Sequence, residues 1–155
     1  MSEPTTQLHK NILIVFGCDH NGPVLKKGLI EFAKQLGYQI CDCSLKDGED
    51  YIDLTRKVIA EIESHPASFG VLICGSGFGV CMAANRHPRM RAALCRTKED
   101  TEYCRRQNDA NILCLGAEFT TLPVAQECLR HFANRSFKQE RHFNHVHKLL
   151  MKGHF

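Results

Sequence analysis

The stretch Val71–Arg86, VLICGSGFGVCMAANR, decides the fold. Three apolar residues run into Cys74, and then glycine recurs at Gly75, Gly77 and Gly79 before a run with few breakers. An unbroken apolar segment ending on a glycine-rich turn reads as a strand buried on both faces, followed by a loop and a helix start. The same rhythm repeats on either side. Ile12–Cys18 is a second continuous apolar run, and it leads into GPVLKKGLIEFAKQLGY. There Pro23 suits the first turn of a helix, Val24, Leu25, Leu29, Phe32, Ala33 and Leu36 fall on one face, and Gly37 suits the helix end. YQICDCS is a short strand, KDGED a loop and YIDLTRKVIAEIES an amphipathic helix. Beyond the glycine turn, MRAALC is a strand, KEDTEYCRRQ a helix, ANILCLG a strand, LPVAQECLRHFAN a helix and RHFNHVHKLLM a last short helix. Five strands alternating with helices predict a doubly wound α/β fold: a three-layer αβα sandwich around a five-stranded parallel sheet.

The chain of 155 residues is expected to form one domain over 1–155, with residues 1–10 a loose tail. A net charge of +3 without basic clustering gives no footprint for nucleic acid. No apolar run approaches the ~18 residues of a membrane span, and the polar start lacks a signal-peptide core. A cytoplasmic location without a membrane partner is therefore the expectation. The nine cysteines show no C-x-x-C spacing. Most sit in apolar segments, where a free thiol behaves as a small hydrophobe.

In an open α/β sheet, ligands bind outside the carboxyl ends of the strands. Glycines let backbone N–H groups face a bound anion, and a helix N-terminus favours negative charge. Gly75–Gly79 is thus a candidate cradle for a phosphate or an oxyanion. A dinucleotide site would want G-x-G-x-x-G with an acid some 20 residues on, and a Walker loop would want G-K-[ST]; neither pattern is present. Cys74 has two readings: a base or nucleophile beside the cradle, or the last buried residue of its strand. A redox role has only Cys81 nearby as a partner. His142, His145 and His147 form a close set in which His142 and His145 share a helical face and would suit a metal.

The segments GCDHNGPVLK, GVLICGSGFGVCMAANRHPRMRAALC, RRQNDANILCLGA and ERHFNHVHKL together resemble the type B ribose-5-phosphate isomerase family, which also holds galactose- and allose-phosphate isomerases. The resemblance spans Ile12 to about Leu150. It implies a Rossmann-like fold, a homodimer with active sites shared between subunits (and pairing into tetramers as a further option), a small sugar phosphate as substrate, and neither cofactor nor metal. It implies an aldose–ketose isomerisation through a cis-enediolate, with Cys74 as base because the glutamate slot of the other branch holds Val80. It assigns Gly75, Ser76, Gly77, Phe78 and Gly79 to the enediolate oxygen, with Ser76 also relaying a proton. Asp19, His20, Tyr51, Asn108, Arg141 and His145 become substrate contacts, and Asn108 reaches over from the partner subunit.

Three positions depart from the family pattern. Gln107 stands in the slot of a ring-opening histidine and cannot transfer a proton near neutrality. Glu118 stands where an arginine is usual, reversing the sign of a close charge. His145 replaces a second arginine and carries only partial charge near pH 7. Ile52 also follows Tyr51 where proline is common. The departures leave three expectations open: ribose 5-phosphate isomerisation with other groups such as His142, His147, Arg105 or Arg106 covering the lost roles; another sugar phosphate of the allose or galactose 6-phosphate type; or a binding module that turns nothing over.

Overall fold

The computed structural model describes residues 11–134, 136–137 and 139–151, and in the last segment the side chains from 142 onward. The expected N-terminal tail lies outside the described residues. The chain alternates β1 (Leu13–Cys18), α1 (Pro23–Gln35), β2 (Gln39–Cys43), α2 (Tyr51–Ser64), β3 (Ser68–Cys74), α3 (Phe78–Asn85), β4 (Ala92–Leu94), α4 (Lys98–Asn108), β5 (Ile112–Gly116), α5 (Leu122–Asn134) and α6 (Gln139–Leu150). All strand pairs are parallel, in the order β2-β1-β3-β5-β4.

Side chains alternate across each strand, so each apolar run feeds two cores. Ile14, Phe16, Val71, Ile73, Leu113 and Leu115 pack with Leu25 and Leu29 of α1 and Leu129 and Phe132 of α5. Leu13, Val15, Leu72, Cys74, Ile112 and Cys114 face the other way, onto Val58, Ile59 and Ile62 of α2 and Val80 and Ala84 of α3. The result is the expected three-layer sandwich. Both capped helices carry their start signal in sequence: Asp50 with Asp53 closes a capping box on α2, and Thr97 with Asp100 does the same on α4.

Some boundaries differ from the sequence reading. Val24 is 88% exposed, because it lies a third of a turn from Leu25, and it is Leu25, Leu29 and Ala33 that face the sheet. β4 shrinks to three residues at the sheet edge, and β5 starts at Ile112. Ala110 and Asn111 are taken up by the helix-to-strand link, where Asp109 adopts a left-handed conformation (φ 50°) and the Asn111 side chain accepts the Arg91 N–H at 2.7 Å.

The chain leaves β1 toward β2 and returns on the opposite side of β1 to form β3. Strand order reverses there, so the carboxyl ends of β1 and β3 open a crevice. Asp19–Gly22 lies at one of these ends and Gly75–Gly79 at the other.

Candidate active site

Cys74 closes β3, paired across to Gly116 at the end of β5, and is 6% exposed. The loop after it is stitched to the end of β5. Ala117 N–H donates to the Cys74 carbonyl at 2.8 Å, and Glu118 N–H to the Gly75 carbonyl at 3.0 Å. Gly77 then takes φ 82°, a left-handed turn that brings its N–H back onto Cys74 Sγ at 3.1 Å. A Cβ on Gly77 would stand 2.5 Å from Leu94 Cδ1 and 3.0 Å from the Leu115 carbonyl carbon. Only glycine fits both the conformation and the space. The sulfur therefore sits at the floor of the turn, with a backbone N–H aimed at it and α3 starting directly above.

The five cradle residues do not all present free donors. Gly77 N–H is spent on the sulfur, and Phe78 N–H donates to Ser76 Oγ at 3.2 Å. Cys81 N–H already closes the first turn on the Gly77 carbonyl at 3.3 Å. The N–H groups of Gly79 and Val80 belong to the open first turn of α3, which has no intrahelical partners.

Tyr51, the first residue of α2, comes to the cradle: its ring carbons lie 3.0 Å from where a Cβ of Gly79 would be. The Asp19 carboxylate accepts the Asn21 N–H at 2.9 Å, and Asn21 Nδ2 lies 3.5 Å from the Cβ position of Gly75. His20 beside it is exposed. Glu118 comes to the same place from the β5 side, with Oε1 3.0 Å from that Cβ position of Gly75. A carboxylate thus stands beside the first residue of the glycine loop.

Gln107 and Asn108 are not brought to this crevice. They end α4, which starts at the carboxyl end of β4 and runs back to the amino end of β5, the opposite edge of the sheet from Cys74. His145 is exposed on α6, which packs on α4. Its ring lies 6.4 Å from that of His142, and His147 stacks on Phe143 at 5.9 Å. The side chain of Arg141 lies outside the described residues. Among the described residues no group of three or more His, Cys, Asp or Glu is arranged to hold a metal.

The other thiols are free, five of the nine buried. Cys81 packs against the α2/α3 core and shares a hydrogen bond with the buried Cys114, which pulls its thiol down to about 7. Desolvation pushes Cys114 the other way. Sequence reasoning missed Asn21. It had a signal, its place right after the Asp-His pair.

The model of the Ribose/Galactose Isomerase family matches residues 14–149. The chain belongs to this family. The chain is similar to ribose-5-phosphate isomerase B of Escherichia coli, 29% identical over 86% of this chain and 91% of that one. Among solved structures, ribose 5-phosphate isomerase B of Anaplasma phagocytophilum superposes with a TM-score of 0.84 at 37% identity, covering 91% of this chain and 98% of that one. The Mycoplasma genitalium ribose-5-phosphate isomerase B, solved with bound ribulose-5-phosphate, gives 0.86 at 30% identity over 92% and 96%. Family and fold together make this ribose/galactose isomerase homologue an isomerase of the type B ribose-5-phosphate kind. Among its described residues no helix is long and apolar enough to cross a membrane.

Proposed function

We propose that the chain interconverts ribose 5-phosphate and ribulose 5-phosphate through a cis-enediolate, with Cys74 as base. The observation that carries this is the Cys74 sulfur at the cradle floor, facing the Gly77 N–H at 3.1 Å, while Val80 leaves the next turn without a carboxylate. The linear aldose binds with C1 and C2 over the loop. Cys74, as thiolate, takes the proton from C2, and the electrons move through C1 to the carbonyl oxygen. The enediolate charge meets the open first-turn N–H groups and the positive end of α3. Cys74 returns the proton to C1, and the O2 hydrogen passes to O1. Ser76 carries that passage in this reading; its Oγ accepts the Phe78 N–H and keeps its own proton to give.

Tyr51, Asp19 and His20 line the sugar. Gln107 holds the ring oxygen by a hydrogen bond without transferring a proton, so the enzyme takes up the open form. Gln107 and Asn108 stand at the opposite sheet edge from Cys74, which supports a homodimer in which each subunit completes its partner's cleft. Arg141 and His145 bind phosphate in the same way. The setting is the cytoplasm, and no metal or cofactor takes part.

A second reading is a sugar-phosphate-binding homologue without turnover, which the Glu118 carboxylate against Gly75 favours. One assay separates the two: conversion of ribose 5-phosphate by the protein and by Cys74→Ala. The expected result is turnover in the first and a loss of about 100- to 10,000-fold in the second. Equal turnover in both refutes Cys74 as base. Absence of turnover in the unmodified protein refutes ribose 5-phosphate as the substrate.

A further inference from the structure

The thiols of Cys95 and Cys104 lie against each other, with Sγ to Sγ at 3.8 Å. Cys95 is the residue after β4 and is buried; Cys104 lies in the second turn of α4, half-buried against the same core. Arg96 and Thr97 join strand to helix, and the Thr97–Asp100 capping box fixes where the helix begins. Cys104 Sγ donates to the Thr101 carbonyl at 3.4 Å, so its lone pairs are left to accept the Cys95 S–H. The Ala93 carbonyl, at 3.7 Å, is the other acceptor within reach of Cys95. The isomerisation at Cys74 uses neither thiol.

A disulfide holds its sulfurs about 2 Å apart, so this pair must close by roughly 1.8 Å. The place allows it. β4 is a three-residue strand at the sheet edge, and Cys95 stands beyond its last paired residue, held by its N–H on the Cys114 carbonyl at 3.1 Å. Other thiol neighbours have less room. Cys114, hydrogen-bonded to Cys81, lies inside β5 with a strand on each side. Cys41 and Cys43 leave one strand in the same direction, about 6.6 Å apart by the strand rise, where a disulfide wants Cβ atoms about 3.5–4.5 Å apart. The two thiols also differ. The hydrogen bond from Cys95 holds the Cys104 thiol below its ordinary value of 9.0, with the Arg105 charge adding to this, and the same bond raises that of Cys95. The more acidic thiol is thus also the more accessible one, and an inner thiol stands against it to resolve its oxidised form.

We propose that Cys95 and Cys104 form a modification site, in which a hydroperoxide oxidises Cys104 and Cys95 then closes a reversible disulfide. The Cys104 thiolate attacks one peroxide oxygen. The O–O bond breaks, Cys104 becomes a sulfenic acid, and the leaving oxygen takes up the proton that the thiol gave to solvent. The Cys95 sulfur then attacks Cys104 Sγ; the S–O bond breaks, and the hydroxyl leaves as water with the Cys95 proton. Two thiols lose two electrons to one hydroperoxide, and a thiol reductant returns them by exchange. In a reducing setting such a bridge is transient. While closed, it ties α4 to the end of β4, one turn before Gln107 and Asn108. The site stands whether or not the chain isomerises ribose 5-phosphate.

The experiment treats the reduced full chain with hydrogen peroxide, alkylates the remaining thiols and maps the tryptic peptides by mass. Trypsin releases the two cysteines in separate peptides, 92–96 and 99–105, each with a single thiol. The expected product is these two peptides joined, lighter by two hydrogens than their sum, on chains that run as unlinked subunits without reductant. Dithiothreitol should return both thiols. Cys95→Ala should leave Cys104 as a sulfenic acid that dimedone captures, and Cys104→Ser should leave the Cys95 thiol reduced. Should either variant fail to fold, the map of the unmodified protein decides alone. Both thiols still alkylated after peroxide overturns the proposal. So does Cys104 carried to sulfinic acid without a link, a link from either thiol to Cys128 or Cys114, or a link between two subunits.

Discussion

Replacing Gly77 by alanine should damage the fold as well as the chemistry, and the size of the effect can be worked out. The left-handed φ of 82° costs an alanine about 1–2 kcal/mol. The new Cβ would stand 2.5 Å from Leu94 Cδ1, 3.0 Å from the Leu115 carbonyl carbon and 3.1 Å from Gly116 N. Leu94 can turn away, but the β5 backbone cannot, and overpacking of this kind costs about 1–3 kcal/mol. The sum is roughly 2–5 kcal/mol, or a fall in Tm of about 4–20 °C for a chain of this size. Gly48 supplies the control, because it has nearly the same φ, 81°, and nothing within 4 Å of its Cβ position. Gly48→Ala should cost the conformational part alone, about 1–2 kcal/mol. Urea unfolding of the three proteins at one pH gives both numbers. If Gly77→Ala is no less stable than Gly48→Ala, the packing of the loop against β5 is not what fixes the turn.

Asn85 ties the end of α3 to β4 twice, donating to the Ala92 carbonyl at 2.9 Å and accepting the Ala92 N–H at 2.8 Å. Asn85→Ala should cost about 1–2 kcal/mol in chemical denaturation, and a cost below ~0.3 kcal/mol would show that water replaces both bonds. Acid should destabilise the protein in a defined direction. The Lys57 ammonium holds Glu49 below its ordinary value of 4.5, backbone N–H groups hold Asp50 below 3.8, and Arg130 holds Glu127 below 4.5. Each is depressed on folding, so its contribution is full above the unfolded value and is lost as pH falls through the folded one. Thermal unfolding should therefore be level down to about pH 5 and drop below it, less steeply at high salt; a Tm that rises on acidification would contradict this.

The parallel sheet was legible in sequence because its strands are buried on both faces and so read as unbroken apolar runs. β2, α2 and α5 fell within a residue or so of their predicted spans for similar reasons of pattern and capping. The short β4 was overread. The apolar letters of MRAALC continue past the pairing, and nothing local records that a strand is at a sheet edge. The cradle was visible through its glycines, yet the use of Gly77 N–H on Cys74 was not, since it depends on one left-handed residue among five. Gln107 and Asn108 were named from motif, with Asn108 expected to act from the partner subunit, and α4 carries both to the end of the sheet away from Cys74. The contact of the Arg96 guanidinium with the Phe78 and Phe119 rings gave no signal, because these residues stand 18 before and 23 after it in the chain and meet only in the fold.

The stitching of the loop to β5 has a consequence for how such a site changes over generations. The bonds from Ala117 and Glu118 to Cys74 and Gly75 run through main chain, so they survive almost any exchange of side chain except proline. The Cys74 sulfur and the backbone donors of its loop are thus insulated from what positions 118 and 119 carry. Substitution there can change the side chains beside the loop while its backbone stays still. New preferences could be sampled one residue at a time, with little loss of folding at each step.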